Sequence, residues 1–176
     1  WVEKIGVDIA TSSKNGIITA SDKNQIIATS EIIKDTVVSN KSTFISTSEV
    51  YGGTIVSNCK VPAKTFITDV SFVLNKAFEG TDLYLFFAKA VDLATNQFEV
   101  LSEIKLTDFT VGNKTIAVNR FFDTEIYIGW GAVGKHVYLK NATSTNDVGW
   151  YRTHLGYSPG STIITTGNYD SHTPFI

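Results

Sequence analysis

The segment from Tyr51 to Arg152 alternates apolar and polar residues with the two-residue period of β-strands. Stretches such as Phe66–Leu74, Asp82–Ala88 and Thr124–Trp130 are rich in Val, Ile, Phe and Tyr, and Gly, Asn and Asp separate them. Several short strands at near-regular spacing predict an all-β fold, either an antiparallel β-sandwich or a barrel. We predict strands near residues 53–59, 65–75, 81–90, 97–105, 114–119, 124–130, 135–140 and 148–153.

The chain divides into three segments that differ in residue composition and pattern. Residues 1–50 carry pairs of β-branched residues, such as Ile17-Ile18 and Val37-Val38, between polar residues. Such pairs favour short strands and predict an extended β-rich stalk or neck, with an edge of the main domain or a helix over residues 22–35 as alternatives. Residues 51–155 form the predicted sandwich. Residues 156–176 are predicted to be a tail on the sandwich or on a neighbouring subunit, with one short strand at residues 161–165.

Composition excludes several classes of protein. Only 18% of the residues are charged, the net charge is −2 and no long basic run exists, so broad electrostatic binding to nucleic acid is not expected. No apolar stretch approaches the roughly 20 residues of a membrane helix, so membrane insertion is not expected either. The single cysteine, Cys59, excludes an intrachain disulfide, and we expect its side chain to be buried. A chain without Met and without a visible signal peptide suggests a fragment or a processed product.

The sequence contains no recognisable set of catalytic or metal-binding residues. The histidines are His136, His154 and His172, far apart in the sequence, and no Asp-x-Asp-x-Asp calcium loop or Gly-x-Ser-x-Gly motif is present. Glu99 and Glu103 could share one face of a strand, as a pair of glycosidase carboxylates would have to. The simpler interpretation is that they form the solvated side of that strand. We therefore predict no catalytic residue, no metal ligand and no cofactor, and a calcium ion held by loop carbonyls stays open.

A cluster of aromatic and polar residues between Tyr127 and Tyr157 is the best candidate for ligand binding. Strand alternation puts Trp130 on an apolar face and predicts that it lies in the core. The same alternation puts Trp150 and Arg152 on one face of their strand, and an arginine is seldom buried unpaired, so we expect that face to be exposed or at an interface. The predicted ligand-binding residues are Trp150, Tyr151, Arg152, His154 and Asp147.

One stretch resembles the C-terminal jelly-roll modules of bacteriophage tail fibres and tailspikes. The resemblance rests on the order of the segments Thr68–Leu74, Asp82–Phe86, Asn96–Val100, Val111–Ile116 and Glu125–Gly129, and it covers about a third of the chain. It implies a jelly-roll sandwich in an extracellular virion tail and a homotrimer, with a region that binds a polysaccharide of the host cell surface, stabilises the homotrimer, or does both. No site residue of those proteins can be transferred to this sequence.

Two other functions are compatible with the same residues. A carbohydrate-binding module of a secreted polysaccharide-degrading enzyme would share the sandwich and its aromatic residues, and it would be a monomer. A glycan hydrolase or lyase domain is the alternative from a different class, and turnover of a bacterial polysaccharide would identify it.

Overall fold

The computed structural model describes residues 9–11, 14–16, 45–142, 149–170 and 173–174. Every regular element in these ranges is a β-strand, and every strand pair is antiparallel. The predicted all-β antiparallel fold is therefore confirmed. In the same ranges, no helix is long and apolar enough to cross a membrane.

The strands are β1 (Ile9–Thr11), β2 (Lys14–Gly16), β3 (Ile45–Gly52), β4 (Thr54–Val61), β5 (Thr65–Leu74), β6 (Asp82–Asp92), β7 (Gln97–Lys105), β8 (Gly112–Phe122), β9 (Ile126–Val133), β10 (Val137–Ala142), β11 (Trp150–Thr153), β12 (Ile163–Thr165), β13 (Asn168–Asp170) and β14 (Thr173–Pro174). All eight strands predicted between residues 53 and 153 are present, as β4 to β11, and the short strand predicted at residues 161–165 is β12. The structure adds β3, which crosses the predicted boundary at residue 50.

The chain forms two units, Trp1–Val37 and Val38–Ile176. Within the first unit, the structure describes a short hairpin in which β1 pairs with β2. The remainder of the predicted stalk up to residue 44, including the alternative helix at residues 22–35, lies outside the described residues. The expected burial of the Cys59 side chain also lies outside what the structure describes.

The second unit is a sandwich of two sheets. The small sheet contains β8, β5, β10, β3 and β14, and β10 lies between β5 and β3 because Leu139 pairs with Leu74 on one side and with Val50 on the other. The large sheet has the order β12-β7-β6-β9-β4-β11-β13. Apolar side chains from both sheets fill the core between them, and Trp130 is fully buried there, as the sequence predicted.

The large sheet is strongly curled, so its two edges lie close together. Its edge strands β12 and β13 are separated in the chain by Thr166 and Gly167 alone, a connection that spans at most about 11 Å. Seven strands in a flat sheet would place those edges roughly 29 Å apart. The curl is fixed by hydrogen bonds from the Thr166 amide to the Asn96 carbonyl (3.0 Å) and from the Gly167 amide to the Arg152 carbonyl (2.8 Å).

The curled sheet encloses a second apolar cluster on the face that points away from the small sheet. In this cluster the ring of Phe98 on β7 lies 5.2 Å from the ring of Tyr151 on β11. These strands are four positions apart in the sheet, so only the curl brings the two rings together. The cluster contains Val56, Phe86, Ala88, Phe98, Tyr127, Tyr151, Tyr157 and Ile164.

Tyr157, in the segment that joins β11 to β12, closes this second cluster. Its ring stacks on Phe86 at 5.3 Å with 3° between the planes, and its hydroxyl donates a 2.8 Å hydrogen bond to Glu103. Burial and then the hydrogen bond to Glu103 raise the pKa of Tyr157, so the hydroxyl keeps its proton. The ring fits because β9 carries Gly131 beneath it, where a Cβ atom would lie 2.2 Å from the ring.

Candidate functional site

The structure places Trp150 and Tyr151 inside the protein. Trp150 is 3% exposed and lies in the core between the sheets, whereas Tyr151 is 8% exposed and lies in the second cluster. The two side chains are on opposite faces of β11, as strand alternation predicted. The expectation that the face with Trp150 is exposed or at an interface is wrong for the indole, which lies in the core between the sheets, whereas Arg152 on the same face is half-buried. Asp147 lies outside the described residues.

Arg152 and His154 come together at the surface with residues that β3 and the β9–β10 turn supply. The Arg152 guanidinium carbon lies 4.9 Å from the ring centre of Tyr51, and one of its nitrogens donates a 3.5 Å hydrogen bond to the Tyr51 carbonyl. The His154 ring lies 5.7 Å from that of His136. The Nε2 atom of His136 donates a 3.2 Å hydrogen bond to the His154 carbonyl, which joins the β9–β10 turn to the end of β11.

Two tyrosines and two histidines form a continuous group that we call the aromatic platform: Tyr51, Tyr138, His136 and His154. Tyr51 and Tyr138 are directly opposite each other in the β3–β10 ladder, with ring centres 5.5 Å apart and planes 26° apart. The His136 ring is 5.8 Å from Tyr51 at 22°. The tyrosines lie on the outer face of the small sheet, because their strand neighbours Val50 and Val137 are buried in the core.

Two cations rest on the tyrosine rings. The Lys76 ammonium lies 4.2 Å from the ring centre of Tyr138, and Arg152 lies over both Tyr51 and Trp150 at 4.9 Å. An unbroken series of contacts therefore crosses the small sheet to β11, in the order Lys76, Tyr138, Tyr51, Arg152 and Trp150. Cation–π contacts of this kind favour one arrangement of the rings, so the platform is held in place before any ligand binds.

Glu49 fixes the lysine at the end of this series. Its carboxylate forms a 2.9 Å ion pair with the Lys76 ammonium and accepts a short hydrogen bond from the side-chain amide of Asn75. Burial raises the pKa of Glu49. The hydrogen bonds from Lys76 and Asn75 and the charge of Lys76 together lower the pKa by a larger amount, so it lies below the usual value. The carboxylate stays charged near neutral pH and keeps Lys76 over Tyr138.

An open cleft of about 480 Å³ adjoins the platform. It lies between the β5–β6 connection and the β9–β10 turn. Two backbone hydrogen bonds join these walls: the backbone amide of Asn75 donates to the Tyr138 carbonyl and that of Thr81 to the Val133 carbonyl, both at 2.9 Å. Its walls are therefore preformed. The cleft is lined by Lys76, Ala77, Glu79, Gly134, Lys135, His136 and Tyr138.

The platform and cleft are suited to binding by contact and hydrogen bonding. Rings supply apolar area at low entropic cost, and the surrounding ammonium, guanidinium, imidazole and carboxylate groups supply directional contacts. In the part of the chain that the structure describes, no three His, Cys, Asp or Glu side chains come close enough together to hold a metal ion.

The sequence prediction missed Tyr51, Lys76 and Glu49. One signal for them is present: Glu49-Val50-Tyr51 and His136-Val137-Tyr138 each place a buried valine between two outward side chains. The pattern marks two strands with polar and aromatic outer faces, but the pairing of those strands was needed to bring the faces together.

The comparisons with known proteins give no relative. No protein-family model matches the chain, and neither a curated protein nor a solved structure matches it.

Proposed function

We propose that this chain is a non-enzymatic module that binds a polysaccharide through the aromatic platform and the adjoining cleft. The observation that carries the proposal is the set of near-parallel rings of Tyr51, Tyr138 and His136 on the outer face of a sheet, beside an open cleft with charged walls. An aromatic ring offers an apolar face to the C–H groups of a sugar ring, and the groups around it can bind the hydroxyls.

We further propose a biological setting for this module, the C-terminal region of a bacteriophage tail fibre or tailspike that attaches the virion to a polysaccharide of the bacterial surface. The resemblance to those modules implies a jelly-roll sandwich, and the antiparallel sandwich agrees with it at the level of an all-β fold of two sheets. A carbohydrate-binding module of a secreted polysaccharide-degrading enzyme is the alternative, and it would use the same platform. The two settings differ in the expected number of chains.

Binding to an array of bacterial polysaccharides tests the function. The chain is expected to bind at least one polysaccharide, and Tyr51→Ala is expected to weaken that binding about 30-fold, because truncating a central aromatic anchor typically costs about 2 kcal/mol. Phe121→Ala is the matched control, since Phe121 is an exposed aromatic residue (43%) on β8 of the same sheet. A chain that binds no polysaccharide, or a Tyr51→Ala variant that binds as well as the unchanged chain, contradicts the proposed function.

The mass of the chain in solution tests the setting. Light scattering is expected to give a mass near three chains of 19.3 kDa each, as a fibre region requires. A mass near that of one chain would contradict the fibre setting and favour the free-standing carbohydrate-binding module. The polysaccharide test would be unaffected by either result.

A further inference from the structure

Two lysines and one glutamate line the cleft, although the chain as a whole has a net charge of −2. We propose that the cleft selects an acidic sugar, a uronic acid, whose carboxylate binds the ammonium of Lys135. The sugar part of this inference rests on the proposed function. The charge part rests on the lining residues alone.

The cations of the platform and cleft differ in how far they are already neutralised. Lys76 is paired with Glu49 at 2.9 Å and lies against Tyr138. Arg152 lies between two rings. Lys135 is exposed in the β9–β10 turn and makes no ion pair or hydrogen bond with the residues that the structure describes. Lys135 is therefore the cation that is available to a bound anion.

Neither carboxylate near the cleft forms an ion pair with Lys135 in the described part of the chain. Glu49 is engaged by Lys76 and Asn75, and Glu79 is the single acidic residue among those that line the cleft. His136 also lines the cleft, and its ring lies 5.7 Å from that of His154. A carboxylate in the cleft would thus meet the ammonium of Lys135, which has no ion-pair partner among the described residues, and a charge-assisted hydrogen bond to it is stronger than one between neutral groups.

The tyrosine in the lining of the cleft, Tyr138, explains why a sugar acid fits better than a simple anion. Tyr138 and Lys135 both line the cleft, so a sugar ring that contacts the part of the tyrosine left open beside Lys76 can direct its carboxylate toward Lys135. Acetate carries the same charge but has no ring to contact Tyr138. The inference therefore predicts a preference for glucuronate over both glucose and acetate.

Titrations followed by NMR of the backbone amides test this preference. D-Glucuronate is expected to shift the amides of residues 76–79 and 134–138, whereas glucose and acetate at the same concentration and ionic strength leave them in place. Equal shifts with glucose would overturn the requirement for charge, and equal shifts with acetate would overturn the requirement for a sugar. Absence of shifts with glucuronate would overturn the whole inference.

Two charge changes in the cleft test the assigned residues in opposite directions. Lys135→Gln is expected to weaken glucuronate binding about tenfold, as for the loss of a hydrogen bond to a charged group. Glu79→Gln is expected to strengthen it, which a damaged fold would not do. Lys64→Gln is the matched control, because Lys64 precedes β5 and lies roughly 30 Å away along that strand. Equal binding by the variants Lys135→Gln and Lys64→Gln would overturn the role of Lys135.

The two proposals can fail separately. A chain that binds a polysaccharide but not glucuronate would retain the proposed function and lose the inference. A chain that binds glucuronate in the cleft but no polysaccharide on the array would retain an acidic-sugar site and lose the proposed function.

Discussion

Replacing Gly131 with alanine is expected to lower the free energy of unfolding by about 3 kcal/mol, the upper part of the usual range for overpacking. The new Cβ atom would lie 2.2 Å from the ring of Tyr157. That ring cannot move aside without losing its stacking on Phe86 and its hydrogen bond to Glu103. The segment that closes the second apolar cluster would then be displaced.

Denaturant unfolding of a double-mutant cycle measures this effect. In a Tyr157→Ala background the ring is gone, so Gly131→Ala should cost much less there than in the unchanged chain. Gly156→Ala is the matched control, because its Cβ atom would lie 3.7 Å from the nearest atom, the Ala132 carbonyl oxygen, which is an ordinary contact. An equal cost of Gly131→Ala in both backgrounds would show that Tyr157 is not what the glycine accommodates.

Replacing Trp150 with alanine is expected to lower the free energy of unfolding by about 4 kcal/mol, as is usual for a large buried aromatic side chain. Trp150 is 3% exposed in the core between the sheets, and it also supports Arg152, which lies over Tyr51. The variant should therefore lose stability and, where it stays folded, also bind polysaccharide more weakly.

The matched control for that substitution is Leu155→Ala, which truncates a large apolar side chain that is 76% exposed. Its effect on the free energy of unfolding should stay within about 0.5 kcal/mol, as is usual for surface positions. Denaturant unfolding monitored by circular dichroism compares the two variants. A similarly small effect of Trp150→Ala would contradict the placement of the indole in the core.

The strands of the sandwich were predictable because each carries its own signal. Segments such as Phe66–Leu74 and Asp82–Ala88 alternate clearly, and Gly or Asn marks their ends. The strands β13 and β14 were not predicted, because each has three residues or fewer and exists only through its partner strand. β3 was not predicted either, because the change in residue composition near residue 50 indicated a boundary between stalk and sandwich. The strand continues across that boundary.

The candidate site was predictable only in part, for a reason that Trp150 illustrates. The alternation of residues along the strand correctly placed Trp150 and Tyr151 on opposite faces of β11. It gives no information on what covers each face of a sheet. Here the small sheet covers the face with Trp150, and the curl of the large sheet brings Phe98 against Tyr151 on the other face. The pairing of Tyr51 with Tyr138 likewise depends on a ladder between strands that are far apart in the sequence.

The closure of the large sheet by Thr166 and Gly167 has a consequence for how the chain reaches its native state. The contacts that complete the curl join residues distant in sequence, such as Asn96 with Gly167 and Glu103 with Tyr157. Contacts of this kind carry a large loop-closure entropy, and proteins dominated by them fold slowly. On the ribosome, the apolar face around Phe86 must stay open until residue 167 has been synthesised. Apolar surface that is exposed in this way makes an incompletely folded chain prone to aggregation.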